Sequence, residues 1–289
     1  ITPGGDFLVM FPCGRGQWYQ GKEMLSLRSK DRGRTWSQAT VAFNASQSHH
    51  GFVPLIPRGT KRIYAFGTQA IPGMVGDRKL GLQENAPIGY RYSDDDGRTW
   101  SEVKLIEPIN DPGFRGMSCV RMCETQTGAW LIGSHDGVWT VPRNPTHPVA
   151  TRQYVLRSDD RGKTWTLLPG PRPHGWFVKE FDRMDEGTAV ALSGGEVVMF
   201  SRTAEGHVWA TRSRDDGRTW DDPSPTPLVH PDAPPMVFHL ADGRTLIALI
   251  HNRGTLRNLV LDEVSQVAEG APACGSVVCN EEMKQHCEE

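Results

Sequence analysis

One eight-residue phrase recurs four times along the chain, and it limits the possible folds more than any other feature. It reads Ser29-Lys30-Asp31-Arg32-Gly33-Arg34-Thr35-Trp36, then Ser93-Asp94-Asp95-Asp96-Gly97-Arg98-Thr99-Trp100. It returns as Ser158-Asp159-Asp160-Arg161-Gly162-Lys163-Thr164-Trp165 and as Ser213-Arg214-Asp215-Asp216-Gly217-Arg218-Thr219-Trp220. The pattern S-x-D-x-G-x-T-W holds in all four copies without a substitution, which chance does not produce in 289 residues. Successive copies start 64, 65 and 55 residues apart (93 − 29, 158 − 93, 213 − 158). Such a repeat marks an array of like units, each unable to bury its apolar face alone.

The chemistry of the phrase is that of a hairpin turn. An Asp side chain accepts hydrogen bonds from main-chain N–H groups just ahead of it and closes the turn locally. Gly takes a positive-φ position that a Cβ disfavours. Thr and Trp are predicted to begin the returning strand, with the indole covering the turn. Asp31, Asp95, Asp160 and Asp215 are therefore scaffold rather than catalytic acids.

Short apolar runs separated by turns fill the intervals. Strands are predicted at 52–57, 62–67 and 88–92 ahead of the second phrase, and at 118–123, 129–133 and 153–157 ahead of the third. Ahead of the fourth they fall at 189–192, 197–202 and 208–212. Helical periodicity is almost absent. About four strands per repeat describe a β-propeller blade. A fifth unit starts at Pro235, with strands at 236–240, 245–251 and 256–261 and no fifth phrase. The expectation is an all-β propeller domain over 1–263, six-bladed in the parent protein with about five blades visible here. A polar, Cys-containing tail of unassigned structure follows at 264–289.

Charge is balanced, at a formal −2, which argues against a nucleic-acid partner. No run approaches the roughly 18 to 20 apolar residues of a membrane-spanning segment. The opening Ile1-Thr2-Pro3-Gly4-Gly5-Asp6 reads as a turn entering a strand rather than as a signal peptide, as though the chain were processed or truncated. Cys13, Cys119 and Cys123 sit in apolar segments and read as core thiols. Cys274, Cys279 and Cys287 match no common zinc spacing.

The four phrases, with strand pairs between them, resemble the sialidase superfamily, also called the Asp-box or BNR-repeat proteins, from about residue 5 to residue 261. Such boxes also occur in propellers that are not enzymes, so the resemblance implies the fold, and activity rests on the site. Sialidases hold a sugar carboxylate with three arginines, whose planar forks meet it bidentately. They use a tyrosine nucleophile activated by a glutamate, with an aspartate as acid/base.

The stretch Asp185-Glu186-Gly187-Thr188-Ala189-Val190-Ala191-Leu192, followed by Val197-Val198-Met199-Phe200-Ser201-Arg202, resembles the strand pair that carries the glutamate and the second arginine. Glu186 and Arg202 lie 16 residues apart (202 − 186), which suits a hairpin returning to one rim. The alternative readings are an exposed turn carboxylate and a surface strand charge. His251-Asn252-Arg253-Gly254-Thr255-Leu256-Arg257-Asn258-Leu259 resembles the stretch supplying the third arginine, which Arg257 fits better than Arg253. Where the acid/base aspartate is expected, the chain has His49-His50, and His50 is the candidate acid/base with His49 beside it. Arg115, in Phe114-Arg115-Gly116, is a further candidate for substrate binding from a loop ahead of an inner strand. The first arginine's phrase would precede residue 1, and no tyrosine lies beyond Tyr154.

The resemblance implies an exo-glycosidase that releases a terminal acidic sugar, sialic acid or similar, from a glycan, with no metal and no organic cofactor. A glycan substrate favours a secreted or periplasmic setting. Two alternatives stand beside it. One is a polysaccharide lyase acting on uronates through His49/His50 and Tyr90. The other is a propeller that binds a glycan or protein without catalysis.

Overall fold

The computed structural model describes residues 1–12, 23–44, 51–69, 85–139, 149–229, 233–239 and 246–249. All of them fall in one compact unit, Ile1–His251. His49, His50, Arg253, Arg257, Cys13 and the 264–289 tail lie outside the described residues.

Every sheet is antiparallel and built from consecutive strands. The first contains β1 (Phe7–Pro12), β2 (Glu23–Ser29) and β3 (Thr40–Asn44). The second contains β4 (Val53–Leu55), β5 (Ile63–Thr68), β6 (Ile88–Ser93) and β7 (Lys104–Leu105). The third contains β8 (Met122–Glu124), β9 (Trp130–Trp139), β10 (Val149–Ser158) and β11 (Thr166–Leu168). The fourth contains β12 (Asp185–Ala191), β13 (Val197–Arg202), β14 (His207–Ser213) and β15 (Ser224–Val229). A two-stranded sheet of β16 (Met236–His239) and β17 (Leu246–Leu249) completes the five. The pattern predicts four complete blades and part of a fifth; among the described residues three sheets have four strands and the first has three. No helix among the described residues is long and apolar enough to cross a membrane.

The repeated phrase joins the last two strands of each of the first four sheets, and its bonding repeats almost atom for atom. Asp31 Oδ1 accepts from Ser29 Oγ and from the Thr35 N–H, both at 2.8 Å, and its Oδ2 accepts from Thr35 Oγ1 at 2.6 Å. The serine oxygen in turn accepts from the Gly33 N–H at 2.7 Å. Asp95, Asp160 and Asp215 make the same set with their own Ser and Thr. The Thr35 hydroxyl and amide lower the Asp31 carboxyl to about 2. Each phrase glycine is left-handed, with φ from 79 to 85°, as its position requires. The residue before it is left-handed as well: Arg32, Asp96, Arg161 and Asp216 have φ of 56 to 63°.

The indole Nε1 of Trp36, Trp165 and Trp220 donates back to the glycine carbonyl. Thr and Trp do not begin the returning strand, contrary to the pattern. The Thr is held in the turn by its Asp, and only β11 starts directly after its Trp.

Two apolar clusters form the core. One, between the second and third sheets, holds Phe66, Ile88, Phe114, Trp130, Ile132, Tyr154, Leu156 and Trp165. The other, between the third and fourth, holds Cys123, Leu131, Val155, Ala189, Val197 and Met199. β9 and β10 feed both clusters because successive side chains point to opposite faces. Cys119 and Cys123 are buried thiols, as predicted, and burial pushes them up to about 12 and about 11.

Hydrogen bonds also cross the seams between sheets. Arg28, just ahead of the first phrase, donates Nη2 to the Asp96 carbonyl of the second sheet's turn at 2.6 Å. Arg157, just ahead of the third phrase, donates Nη1 to the Asp216 carbonyl of the fourth sheet's turn. Thr125 Oγ1 adds a bond to Asp216 Oδ2 at 2.7 Å. In the second sheet that place is held by Tyr92, whose ring carries the Arg62 guanidinium 4.1 Å from its centroid. There a cavity of about 350 Å³ opens, lined by Arg62, Tyr64, Asp94, Trp130 and Arg161 among others.

Candidate functional site

β12 begins Asp185-Glu186-Gly187, where successive strand residues would ordinarily face opposite sides. A register shift between Asp185 and Thr188 breaks that alternation, and Glu186 sits in the left-handed region at φ 48°. Bulges and left-handed non-glycine residues are costly, and both concentrate at functional sites. Here the bulge turns two adjacent carboxylates toward one arginine. Arg202 of β13 lies opposite Asp185 in the register. Its Nη1 donates to Glu186 Oε2 at 2.5 Å, and its Nε stands 3.7 Å from Asp185 Oδ1. The hairpin thus brings Glu186 and Arg202 together as their spacing predicts. Glu186 is 7 % exposed, so the reading as an exposed turn carboxylate is set aside.

Asp185 is 2 % exposed and more heavily bonded. Its Oδ2 accepts from Arg183 Nε at 2.8 Å and from Thr151 Oγ1 at 3.1 Å. Burial works to raise its carboxyl, but His135 in its protonated form, Arg183 and Arg202, together with the Arg183 hydrogen bond, hold it below the usual carboxylate range. Glu186 Oε1 accepts no hydrogen bond from a described side chain or main-chain group.

The third sheet supports this strand from behind. The Gly187 N–H donates to Gln153 Oε1 at 2.7 Å, and Gln153 Nε2 donates to the carbonyls of Ser134 and Tyr154, both at 2.7 Å. The backbones approach so closely that a Cβ on Gly133 would run into the Gly187 carbonyl. The Glu186 N–H donates to His135 Nδ1 at 3.3 Å, and that nitrogen lies 3.0 Å from Ser118 Oγ. His135 was not singled out by its sequence pattern. Its one signal is a polar His135-Asp136 pair framed by Gly133 and Gly137 inside an otherwise apolar strand.

The other face of the β9–β10 hairpin carries a second polar group. Asp136 stands opposite Arg152, and burial pushes its carboxyl up to about 6 against the pull of Arg172 and Arg152. Its Oδ1 and the Tyr154 hydroxyl are both buried without a hydrogen-bond partner among the described residues. Arg152 is held by Asp182 and lies 3.7 Å over the Phe177 ring; Arg172 forms a fork on Asp111. Burial raises the Tyr154 phenol further and leaves it fully covered, so it is no nucleophile as it stands.

The remaining candidates separate. Arg115 donates to Glu107 at 3.3 Å and to the Phe114 carbonyl at 2.8 Å, away from the Glu186 cluster, because an acid eight residues back captures it first. Tyr90 is packed against Phe66 and Tyr64 in the second sheet. His49, His50, Arg253 and Arg257 fall outside the described residues.

A family model described as a BNR repeat-like domain matches residues 2–171 and 87–266. The chain belongs to the BNR repeat-like family. Within reach of this BNR repeat-like chain is a sialidase of Micromonospora viridifaciens, 30% identical over 264 residues, covering 81% of this chain and 38% of that protein. The xyloglucanase Xgh74A of Acetivibrio thermocellus is 25% identical over 215 residues, covering 71% and 23%. The chain thus spans well under half the length of these two relatives. Among solved structures, a protein of unknown function from Dyadobacter fermentans DSM 18053 has a TM-score of 0.64 at 19% identity, covering 88% of this chain and 73% of that one. The NanB sialidase of Streptococcus pneumoniae has a TM-score of 0.53 at 14% identity, covering 87% and 58%. The fold of this BNR repeat-like chain is all-β, with four-stranded antiparallel sheets like the blades of its sialidase neighbours.

Proposed function

We propose that this chain carries the catalytic base of a sialidase-like exo-glycosidase that hydrolyses a terminal acidic sugar from a glycan, its sheets forming part of a six-bladed propeller. The observation that carries the reading is the buried Glu186–Arg202 pair at 2.5 Å, built on a left-handed Glu186. Two acids and two arginines meet at the head of β12, and the strand is bent to bring them together. A sialidase of Micromonospora viridifaciens at 30% identity supports the same reaction class.

In this reading Glu186 Oε1 takes the proton of the attacking oxygen as that oxygen bonds the anomeric carbon. The glycosidic C–O bond breaks, and the leaving oxygen takes its proton from an acid, for which His50 stands in the expected place. Arg202 balances the charge of Glu186 and, with Arg257, faces the sugar carboxylate; a guanidinium has five N–H donors and can serve both. His49 and Arg253 stand next to these positions in the chain. The attacking oxygen is not that of Tyr154, which is covered.

Glu186→Gln tests the assignment, because it keeps the size of the side chain and removes the base. The parent chain and the variant are incubated with a sialylated glycan, a uronate polymer and xyloglucan, and the products are read by mass spectrometry. Free sialic acid from the parent, with turnover lowered at least ~100-fold in a normally folded variant, is the expected result. Undiminished turnover in Glu186→Gln overturns the role of the base. An unsaturated uronate product, cleaved xyloglucan, or saturable glycan binding without any product each replaces the sialidase reading with another.

A further inference from the structure

Glu186 is held at two points. Its carboxylate meets Arg202 on the next strand of its own sheet, and its main-chain N–H meets His135 across the seam to the third sheet. The second contact matters because a non-glycine residue in the left-handed region costs roughly 1–3 kcal/mol and persists only where its surroundings hold it. Fixing the N–H fixes the peptide plane, and the plane aims the side chain.

The acceptor is an imidazole nitrogen, so it accepts only while it carries no proton. With the Glu186 N–H directed at Nδ1, the ring hydrogen belongs on Nε2. A proton on Nδ1 would set two N–H groups against each other and leave Ser118 Oγ, 3.0 Å away, as its acceptor. Among the described residues, the charged groups facing His135 are those at the head of β12: Asp185 and Glu186, with Arg183 just ahead and Arg202 behind. Ser118 also meets the ring, while Asp136 on its own strand points to the opposite face. Asp185 pulls toward the imidazolium and the Glu186 amide opposes it. Ser118, His135 and Asp185 are the residue types of a nucleophilic relay, but Ser118 is 0 % exposed and meets no substrate.

We propose that His135 is a positioning residue whose neutral imidazole locks the left-handed Glu186 through its main chain, and whose protonation releases the base. The proposal rests on the assignment of Glu186 as that base. Activity would then be present while the imidazole is neutral and lost as it takes up a proton on acidification.

The test uses kcat and KM for an aryl glycoside of sialic acid across pH 4.5 to 8.5, with His135→Ala, His135→Asn and Glu186→Gln beside the parent. Asparagine offers its Oδ1 where the imidazole offers Nδ1, and it does not titrate. His135→Ala should lower kcat about 10- to 100-fold with little change in KM, an effect of misaligned rather than missing chemistry. His135→Asn should recover most of kcat and lose the acidic limb of the profile. Equal loss in Ala and Asn, or an acidic limb unchanged in Asn, overturns the proposal. If Glu186→Gln retains turnover, the base assignment fails instead. An inactive Glu186→Gln beside a fully active His135→Ala sinks the positioning role alone.

A measurement independent of turnover closes the remaining gap. Nitrogen NMR of the imidazole should show the Nε2–H form at pH 7.5, with the Glu186 amide protected from exchange. That protection should drop at least about tenfold on acidification or in His135→Ala. A hydrogen on Nδ1 at pH 7.5 refutes the mechanism whether or not the chain turns over any sugar.

Discussion

Asp31, Asp95, Asp160 and Asp215 take their hydrogen bonds from residues no more than four positions away, whereas Glu186 accepts one from a residue 16 positions away and donates its main-chain N–H to one 51 positions away. The turn acids face water and stabilise the same hairpin wherever they occur. The acids at the head of β12 are buried and hold together strands from two sheets. One carboxyl chemistry therefore serves two ends, and what separates them is the distance along the chain over which each acid is satisfied. A local bonding scheme can be copied four times unaltered, because it asks nothing of its neighbours. A scheme that depends on the register of distant strands is particular to its place, as with Thr125 on Asp216 or Arg172 on Asp111.

Breaking the long-range partner should hurt most. Arg202→Ala leaves Glu186 and Asp185 facing each other in a dry place and should cost about 3–5 kcal/mol of stability in chemical denaturation. A cost no larger than that of losing one turn acid would collapse the distinction. Asp136→Asn should act in the opposite direction. The folded carboxyl sits near 6, above its ordinary 3.8, so the fold prefers it neutral. Below pH 3.8 both states are protonated and the residue costs nothing. As the pH rises the unfolded chain ionises first and stability is lost until the folded group also ionises. Asn should therefore gain about 1–3 kcal/mol at pH 8 and nothing near pH 3.5, read from denaturation midpoints at both pH values.

The smallest effect belongs to the turns themselves. Asp160→Ala removes four local hydrogen bonds from a turn whose Trp165 is 3 % exposed, and should lower stability by about 1–2 kcal/mol. The same change at Asp31, whose Trp36 is 42 % exposed, should cost less in a parallel thermal melt. Equal losses would mean that the turn's worth does not depend on what its indole covers.

The same contrast governs what could be read from residues alone. The four turns and five sheets were legible because each turn states its chemistry within eight residues. Strand ends were less so. β12 was expected at 189–192 and starts at Asp185, since two acids at its head resemble a turn. β9 runs on to Trp139, past the predicted end at 133, because His135 and Asp136 interrupt the apolar pattern. The meeting of Glu186 and Arg202 was read from a hairpin spacing and a family likeness. The contact of His135 with Glu186 was not, because it forms across a seam, where no spacing along the chain reports it. Arg115 shows the converse, since its partner Glu107 is close in sequence and the two pair locally.

The seams themselves are unequal. Arg28 and Arg157 fasten the first sheet to the second and the third to the fourth by hydrogen bonds, while Tyr92 replaces the arginine between the second and third. That middle seam is held by Arg58, whose main-chain N–H and Nε donate to Glu124 Oε2 at 2.8 and 3.2 Å, and by rings, with Tyr64 meeting Trp130 edge-on at 5.0 Å and Phe66 meeting Trp165 at 6.1 Å. Apolar association weakens in the cold, and hydrogen bonds do not share that weakness. Chilling therefore loosens the ring packing of that seam, while the Arg58–Glu124 contact, like the arginine bonds of the seams on either side, is left in place.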